Sequence, residues 1–425
     1  MIDLSNKVCL FFDPSAGFTH MAEAVVGEFA EVVYFSPFEQ AFPSSKDYLP
    51  GTNLDGIRRA WDFWDEVDSA DLVVFPDVGN AGLQEYLRRQ GMPVFGSAGA
   101  EKLERDRWYL KSVCKKYGID SAEATPITGI DNLRAFLSEQ DDVHVKCSYF
   151  RGDGETFHHT NQNETRRRLD EIALKMEPYG ASAQFVVEKP IDTKPCVEVG
   201  ADVPWTARGI FPRVILWGFE AKDAGYAGCI GRLPDRLQET LSKLTPVLEQ
   251  FNYRGALSTE TRETPDGSFF LDMTARFPNP PSALMRFMIS NWAEGMWEAA
   301  HGRVVEPDYN APVGVQIICK SEYGADNPLA VEIDRLDRTV LYGHCQYGDQ
   351  HYAVSPSEIA ECGAAVGLGT TLSQAMEEAV EVMEGIKGRE VKYDAGALEE
   401  LTEAIETAEK LGINWNRPIL DTEAA

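Results

Sequence analysis

GALSTETRETPDGSFFLDMTARF, residues 255–277, reads as two extended runs joined by a turn at Asp266-Gly267. Pairing the runs around that turn brings Glu260 and Asp272 into one neighbourhood. Thr274 shares the face of Asp272, because side chains along a strand alternate with a period of two. Two carboxylates and a hydroxyl are a hard oxygen-donor set, suited to Mg²⁺ (or Mn²⁺) held together with substrate phosphates. Arg276 falls on the same face, where a guanidinium can meet a transferring phosphoryl group. The competing reading is a solvated hairpin face with paired charges.

Working upstream, VHVKCSYFRGDGETF (143–157) delivers Lys146 on a strand, followed by a short loop with Arg151, Gly152, Asp153 and Gly154. A lysine at a strand end can neutralise phosphate oxygens, and glycines let backbone N–H groups approach them. The same residues also make an ordinary hairpin with an exposed lysine. SAQFVVEKPIDTKPCVEVG (182–200) sets Glu188 and Glu198 on either side of a turn. A strand–linker–strand of this kind can offer backbone groups to an adenine edge and a carboxylate to a ribose, or be just a hairpin. Arg107 and Lys111 stand four apart on a helix expected over 101–117, so they share a face. A solvent-exposed charged face is the default for such a pair.

The first hundred residues alternate short apolar runs, at 7–12, 31–36, 71–77 and 92–97, with helical stretches such as THMAEAVVGEFA (19–30) and AGLQEYLRRQG (81–91). That alternation implies parallel strands joined by right-handed crossovers, a doubly wound α/β unit. Ligands in such units sit beyond the strand carboxyl ends. Asp13 and His20 in the first such loop, and Asp77 and Asn80 in the second, are therefore candidate substrate contacts, with turn chemistry as their plain alternative. Asp223, beside Lys222 ahead of the glycine-rich stretch 224–231, is a candidate of the same kind. No G-x-G-x-x-G follows the first strand, which argues against a dinucleotide-dependent oxidoreductase.

Further along, 181–277 is strand-rich, and a third portion begins near Ala311. Its glycine turn leads into a helix capped by Thr370 or Thr371. The final helix places Leu398, Leu401, Ile405, Ala408 and Leu411 on one packing stripe.

With 425 residues, 44% of them apolar, the chain fits two or three domains with real cores. A net charge of −28 opposes binding to a phosphate backbone, so no nucleic-acid partner is expected. No apolar run approaches the ~20 residues needed to cross a bilayer, and the N-terminus lacks a signal-peptide pattern. Eight scattered cysteines without a C-x-x-C pair argue against zinc and against a disulfide scaffold. These features predict a cytoplasmic protein without a membrane partner, as a monomer or homodimer.

In this order the segments resemble phosphoribosylamine–glycine ligase of purine biosynthesis, within the ATP-grasp superfamily. DVGNAGLQEYLRRQGMPVFGSAGAEKLERDRWYLKSVCKKYGID is similar to that family's stretch from a substrate loop into the helix opening the ATP-grasp portion. The hairpin continuing into PNPPS resembles its metal-binding segment, AKDAGYAGCIGRLP its central glycine-rich loop, and VGLGTTLSQAMEEAVEVM its C-terminal domain. The resemblance implies an α/β (α+β) chain with an N-terminal α/β substrate domain over 1–100 and an ATP-grasp domain over 101–308, its lid at about 125–190. A small C-terminal α/β domain with a terminal helix would occupy 309–425. It further implies ATP held with Arg107 and Lys146 on the phosphates, Glu188 and Ile191 bordering adenine, and Glu198 on ribose. Glu260, Asp272 and Thr274 would face magnesium and Arg276 the reacting phosphate. The implied reaction joins a small carboxylate to an amine through an acyl phosphate.

The chain departs from that family at identifiable places. Asp272 and Thr274 stand where a Glu and an Asn are usual, Arg107 where a lysine is usual, and the phosphate lid is shortened to RGDGETF. DPSAGFTHMA replaces a Gly-Gly-Arg-Glu-His signature, and PDVGNAG replaces a Pro-Glu-rich substrate loop. Three expectations follow: the family's own reaction, the same chemistry on another amine–carboxylate pair, or a non-catalytic ATP-binding paralogue acting as sensor or scaffold.

Overall fold

The computed structural model describes residues 2–37, 46–149, 156–355 and 359–415; the loop with Arg151, Gly152, Asp153 and Gly154 lies outside them. Near the N-terminus a five-stranded parallel sheet runs in the order Ile57–Arg59, Glu31–Phe35, Val8–Phe12, Leu72–Val74, Val94–Phe95. Alternate residues of its strands feed two separate cores. Cys9, Phe11, Val32, Tyr34, Leu72 and Val74 pack on one face, and Leu10, Val33, Val73 and Val94 on the other. Burial on both faces is what makes these strands continuous apolar runs. The edge strand Ile57–Arg59 is absent from the sequence reading because only Ile57 of its three residues is buried. The chain order reverses between Val8–Phe12 and Leu72–Val74, so the loops starting at Asp13 and Pro76 lie side by side at the switch point.

Two helices depart from their expected extents. In 19–30 only Thr19–Glu23 is α-helical, and the rest winds through turns to Gly27, which has a positive φ of 87°. The helix expected over 101–117 is broken at Asp106, where extended φ/ψ ends Lys102–Arg105 and the side chain caps Arg107–Tyr117 by accepting from the Tyr109 N–H. Gly118 closes that helix in the left-handed conformation.

Next comes a small sheet, ordered Ala124–Thr128, Gln184–Glu188, Val143–Cys147, Thr156–His159, carrying the helices Ile130–Leu137 and Gln162–Met176. It has its own core of residues from Ile130 to Val187. His158 and His159 point to opposite faces: His158 pairs with Asp142, whereas His159 is buried against Thr165 and the Gln140 carbonyl.

The central sheet has eight strands, beginning Gly267–Thr274, Arg254–Thr264, Val197–Ala207, Ile215–Ala221, Gly225–Gly231. Val313–Lys320, Glu361–Gly369 and Thr339–Leu341 continue it, so chain beyond Ala311 enters the same sheet through antiparallel pairing with Gly225–Gly231. The stretch expected as a glycine-rich loop, 224–231, is instead a strand. Its glycines serve close packing: a Cβ at Gly228 would meet the Leu216 and Tyr226 side chains at 2.8 Å. The terminal helix Ala397–Lys410 buries Leu401, Ile405 and Ala408 in the core beneath this sheet, with Leu398 and Leu411 partly buried beside them. Thr371 caps Leu372–Glu384 by accepting from the Gln374 N–H. Trp205 and Trp217 are fully buried, and seven of the eight cysteines are buried, Cys196 being partly exposed. Among the described residues no helix is long and apolar enough to cross a membrane.

Candidate nucleotide and substrate cavity

The hairpin over 255–277 forms with the expected partners. Glu260 lies directly opposite Asp272, and Ser258 opposite Thr274; an irregularity after Glu260 pairs Thr261 with Phe270 and leaves Leu271 as the extra residue. That bulge turns the Leu271 carbonyl toward the small sheet, where it accepts from Lys146 Nζ at 2.9 Å. Gln184–Glu188 belongs to the small four-stranded sheet and Val197–Ala207 to the central sheet, so 182–200 is a crossing between two layers and no hairpin.

Between those layers lies a cavity of about 530 Å³. From the small sheet it is lined by Lys146 and Glu188, from the crossing by Ile191, and from the central sheet by Glu198. Glu260, Asp272 and Thr274 line its floor. Arg107 and Lys111 reach the same network from the body helix, both nearly buried rather than forming a solvated face. Arg107 Nη1 bonds both Asp272 oxygens. Lys111 Nζ stands 2.8 Å from Glu188, and Lys146 Nζ bridges Glu188 at 3.5 Å and Asp272 at 3.9 Å. Glu198 is paired with Arg262.

These contacts divide the carboxylates of the floor. Burial alone would raise Asp272, but Arg107 and Lys146 outweigh it and hold the carboxyl below its usual range. Glu260 has no hydrogen bond or ion pair among the described residues, and burial, with Asp272 and Glu198 nearby, pushes it up to about 7. A half-buried carboxylate lacking a cation, facing a second carboxylate and a hydroxyl, fits a divalent ion whose remaining ligands come from phosphate and water. No group of three or more His, Cys, Asp or Glu among the described residues is arranged to hold a metal by itself.

Arg276 is not among the residues lining the cavity. The strand ends at Thr274, and Arg276 Nε binds Glu104 at 3.0 Å and Asp77 at 3.3 Å. With the Ala275 N–H on Glu104 and the Phe277 N–H on the Pro76 carbonyl, this docks the hairpin end onto the switch point. The following residues Pro278, Asn279 and Pro281 then close one end of the cavity.

None of the five candidate substrate contacts lines the cavity. Asp13 organises its own loop, accepting from the Phe18 N–H, Ser15 Oγ and Tyr34 Oη, and burial pushes it up to about 6. His20 lies against Ser282 Oγ at 3.2 Å, and burial holds its imidazole down to about 3, hence neutral. Asp77 accepts from the Val78 N–H and pairs with Arg276, and Asn80 precedes the helix Ala81–Arg89 without capping it. Asp223 occupies a left-handed turn position (φ 56°) next to the cavity-lining Lys222.

The sequence reading missed Asp202, Glu220 and Tyr226, which also line the floor. Their signal was there: VGADVPWTA and ILWGFEA each carry one acid within an apolar strand, and a lone acid in an apolar run is the informative exception.

No family model matches the chain. Solved structures resemble it over most of its length. Phosphoribosylamine–glycine ligase from Thermotoga maritima is 15% identical with a TM-score of 0.70, covering 91% of this chain and 98% of that one. Biotin carboxylase from Campylobacter jejuni, solved with β,γ-ATP, is 14% identical with a TM-score of 0.63, covering 92% and 98%. N5-carboxyaminoimidazole ribonucleotide synthetase, solved with ADP, is 14% identical with a TM-score of 0.60, covering 89% and 96%. The chain therefore has the multi-domain ATP-grasp fold that these proteins share.

Proposed function

We propose that this chain is an ATP-dependent ligase that joins a carboxylate to an amine through an acyl phosphate. The observation that carries the reading is convergence: seven residues assigned from separate segments, between Lys146 and Thr274, line one cavity between lid and central sheet. The solved ADP and ATP-analogue complexes of proteins with the same fold support a nucleotide in it.

In this reading Glu188 and Ile191 border the adenine and Glu198 takes the ribose. Lys146 and Arg107 neutralise the phosphates, with Arg107 exchanging Asp272 for phosphate oxygens. Glu260, Asp272 and Thr274 would hold magnesium, which when bound spreads the negative charge of the phosphates. Arg276, which does not line the cavity and is held by Glu104 and Asp77, would meet the transferring phosphoryl group only by exchanging those carboxylates for it. A carboxylate is a poor electrophile; phosphorylation converts it to an acyl phosphate, from which an amine displaces phosphate to leave an amide. No protein nucleophile is needed, since positioning and charge neutralisation supply most of the rate.

The test is phosphate release from ATP and Mg²⁺ by purified protein, screened over amino acids with and without phosphoribosylamine. Release that depends on one amine–carboxylate pair, with ADP and an amide formed in equal amounts, supports the ligase and names its substrates. ATP binding without turnover on any pair sinks it in favour of the sensor or scaffold.

A further inference from the structure

Outside the cavity, three distant segments meet at one cluster of titratable side chains. Glu23 ends the first helix, and Arg286 lies on the helix Pro281–Met288, whose first residue helps close the cavity. His344 and His351 belong to a C-terminal hairpin, Cys345–Tyr347 paired with Gln350–Ala353. Arg286 Nη1 stands 2.8 Å from Glu23 Oε2, and His344 Nδ1 stands 2.6 Å from Glu23 Oε1. The other nitrogen of His344, Nε2, lies 3.0 Å from Nδ1 of His351. His344 is buried and His351 half-buried. His344 stands in the middle with both nitrogens engaged, so the three side chains do not converge on one point. They make no metal site, in keeping with the absence of any such group among the described residues.

Hydrogen bonding fixes how many protons this cluster holds. Burial opposes the charge of Glu23, but Arg286 and then His344 outweigh it and hold the carboxyl well below its usual range. An ionised carboxylate only accepts, so His344 Nδ1 carries a hydrogen. Between His344 Nε2 and His351 Nδ1 one nitrogen donates and the other accepts, leaving room for a single hydrogen. With both rings protonated, two N–H groups face each other and two positive charges stand together, with Arg286 on the far side of Glu23. Burial and then His344 lower His351 from its ordinary 6.5, and Glu23 and Asp55 only partly offset them. The remaining groups nearby add no opposing charge: His20 is held neutral, Tyr48 and Cys345 are raised, and Arg59 bears on Cys345 as a further cation.

The same residues dock the hairpin on the N-terminal unit. The His344 N–H donates to Thr19 Oγ1 at 3.2 Å, and its carbonyl accepts from the Gly51 N–H at 2.8 Å. The Gln346 N–H donates to the Thr52 carbonyl at 3.0 Å, and Tyr48 packs edge-on against Tyr352 with ring centres 4.9 Å apart. Two residues before His344, the Tyr342 hydroxyl donates to Asn279 Oδ1 at 3.2 Å, which ties this segment to the closed end of the cavity.

We propose that the His344–His351 contact is an acid-sensitive latch: protonation of both imidazoles loosens the hairpin 345–353 from the N-terminal unit and, through Tyr342, frees the cavity end at Asn279. The released hairpin takes up a proton at the ordinary histidine value and the docked one resists it. Docking is therefore at full strength above 6.5 and weakens as pH falls through the lowered value. The latch does not rest on the ligase reading, and neither result below bears on phosphate release. The experiment is amide hydrogen exchange of the full chain at about pH 7.5 and about pH 5.5, either side of the ordinary histidine value. Rates are corrected for their intrinsic pH dependence, with Arg254–Thr264 as the internal reference. Protection over 343–353 should fall about ten-fold or more at the lower pH, a local opening that spares the central sheet. His351→Gln cannot take a charge and should keep its protection at both pH values. Equal protection of the unaltered chain at both pH values, or the same loss in His351→Gln, overturns the latch. A measurement on the unaltered chain stands beside the variant: nitrogen NMR of labelled histidines should show the second imidazole protonating together with the loss of protection. Both rings protonated while the hairpin stays protected overturns it as well.

Discussion

Asp272→Asn is the substitution with the most to say about the cavity, because it removes the negative centre between two cations. Arg107 is buried, with 7% of its side chain exposed against 24% for Asp272. Breaking a buried ion pair by deleting one partner costs about 3–5 kcal/mol, since the other charge is stranded. Water reaches the Asp272 side of this pair, and Lys146 keeps Glu188 at 3.5 Å, so screening brings the loss down to about 2–3 kcal/mol. Arg107→Met combined with Asp272→Asn strands nothing, and the double variant should recover more than half of the loss. Urea unfolding followed by tryptophan fluorescence suits the measurement, since Trp205, Trp217 and Trp292 are buried in the body and no tryptophan lies in 119–190. Phosphate release should vanish in both variants. A single-variant loss under about 0.5 kcal/mol, the scatter of neutral surface changes, would refute the claim that Asp272 holds these cations. Strict additivity in the double variant would refute the pairing.

Three further outcomes are expected. Glu260 and Asp202 are raised to about 7 and about 6 from ordinary values of 4.5 and 3.8, so the stability of their protonated forms is fully present below those ordinary values and lost as pH rises through 6 to 7. The melting temperature of nucleotide-free protein should therefore fall across that window, less steeply in Glu260→Gln; an identical slope in the variant would contradict the assignment. Gly218→Ala would place a Cβ 2.0 Å from the Ala227 carbonyl and 2.8 Å from the Tyr226 hydroxyl, costing about 1–3 kcal/mol; denaturant titration reads the loss, and a change under about 0.5 kcal/mol would contradict the close packing at this position. Asp106→Ala should cost about 1 kcal/mol as a lost helix cap and weaken ATP binding, because the break at Asp106 starts the turn that aims Arg107; unchanged affinity would show that Arg107 is aimed by its ion pair alone.

Local pattern carried much of this architecture. Asp-Gly at 266–267 set the hairpin, and strict alternation then put Glu260 against Asp272. The apolar runs of the first hundred residues revealed both the parallel sheet and its switch point, since a sheet buried on two faces cannot hide in a sequence. What stayed illegible depends on distant partners. Arg107 and Lys111 look like a solvated helix face until strands more than seventy residues away bring Glu188 and Asp272 to them. The glycines of 224–231 look like a loop because nothing local reveals that Leu216 and Tyr226 will crowd Gly228. Asp13 and Asp77 sit at the switch point as expected, yet their carboxylates serve loop backbone and Arg276, and only the three-dimensional arrangement shows that.

Gly200 gives the cavity a point of easy change. Most glycines of the central sheet are locked in place: a methyl at Gly218, Gly225, Gly228 or Gly314 would collide with backbone or packed side chains at 2.8 Å or less. At Gly200 a methyl would find only ordinary van der Waals neighbours at 3.7 and 3.8 Å. A methyl there enters the floor beside Asp202 without disturbing the sheet, so the shape of the cavity can change by a single codon while the scaffold stays intact.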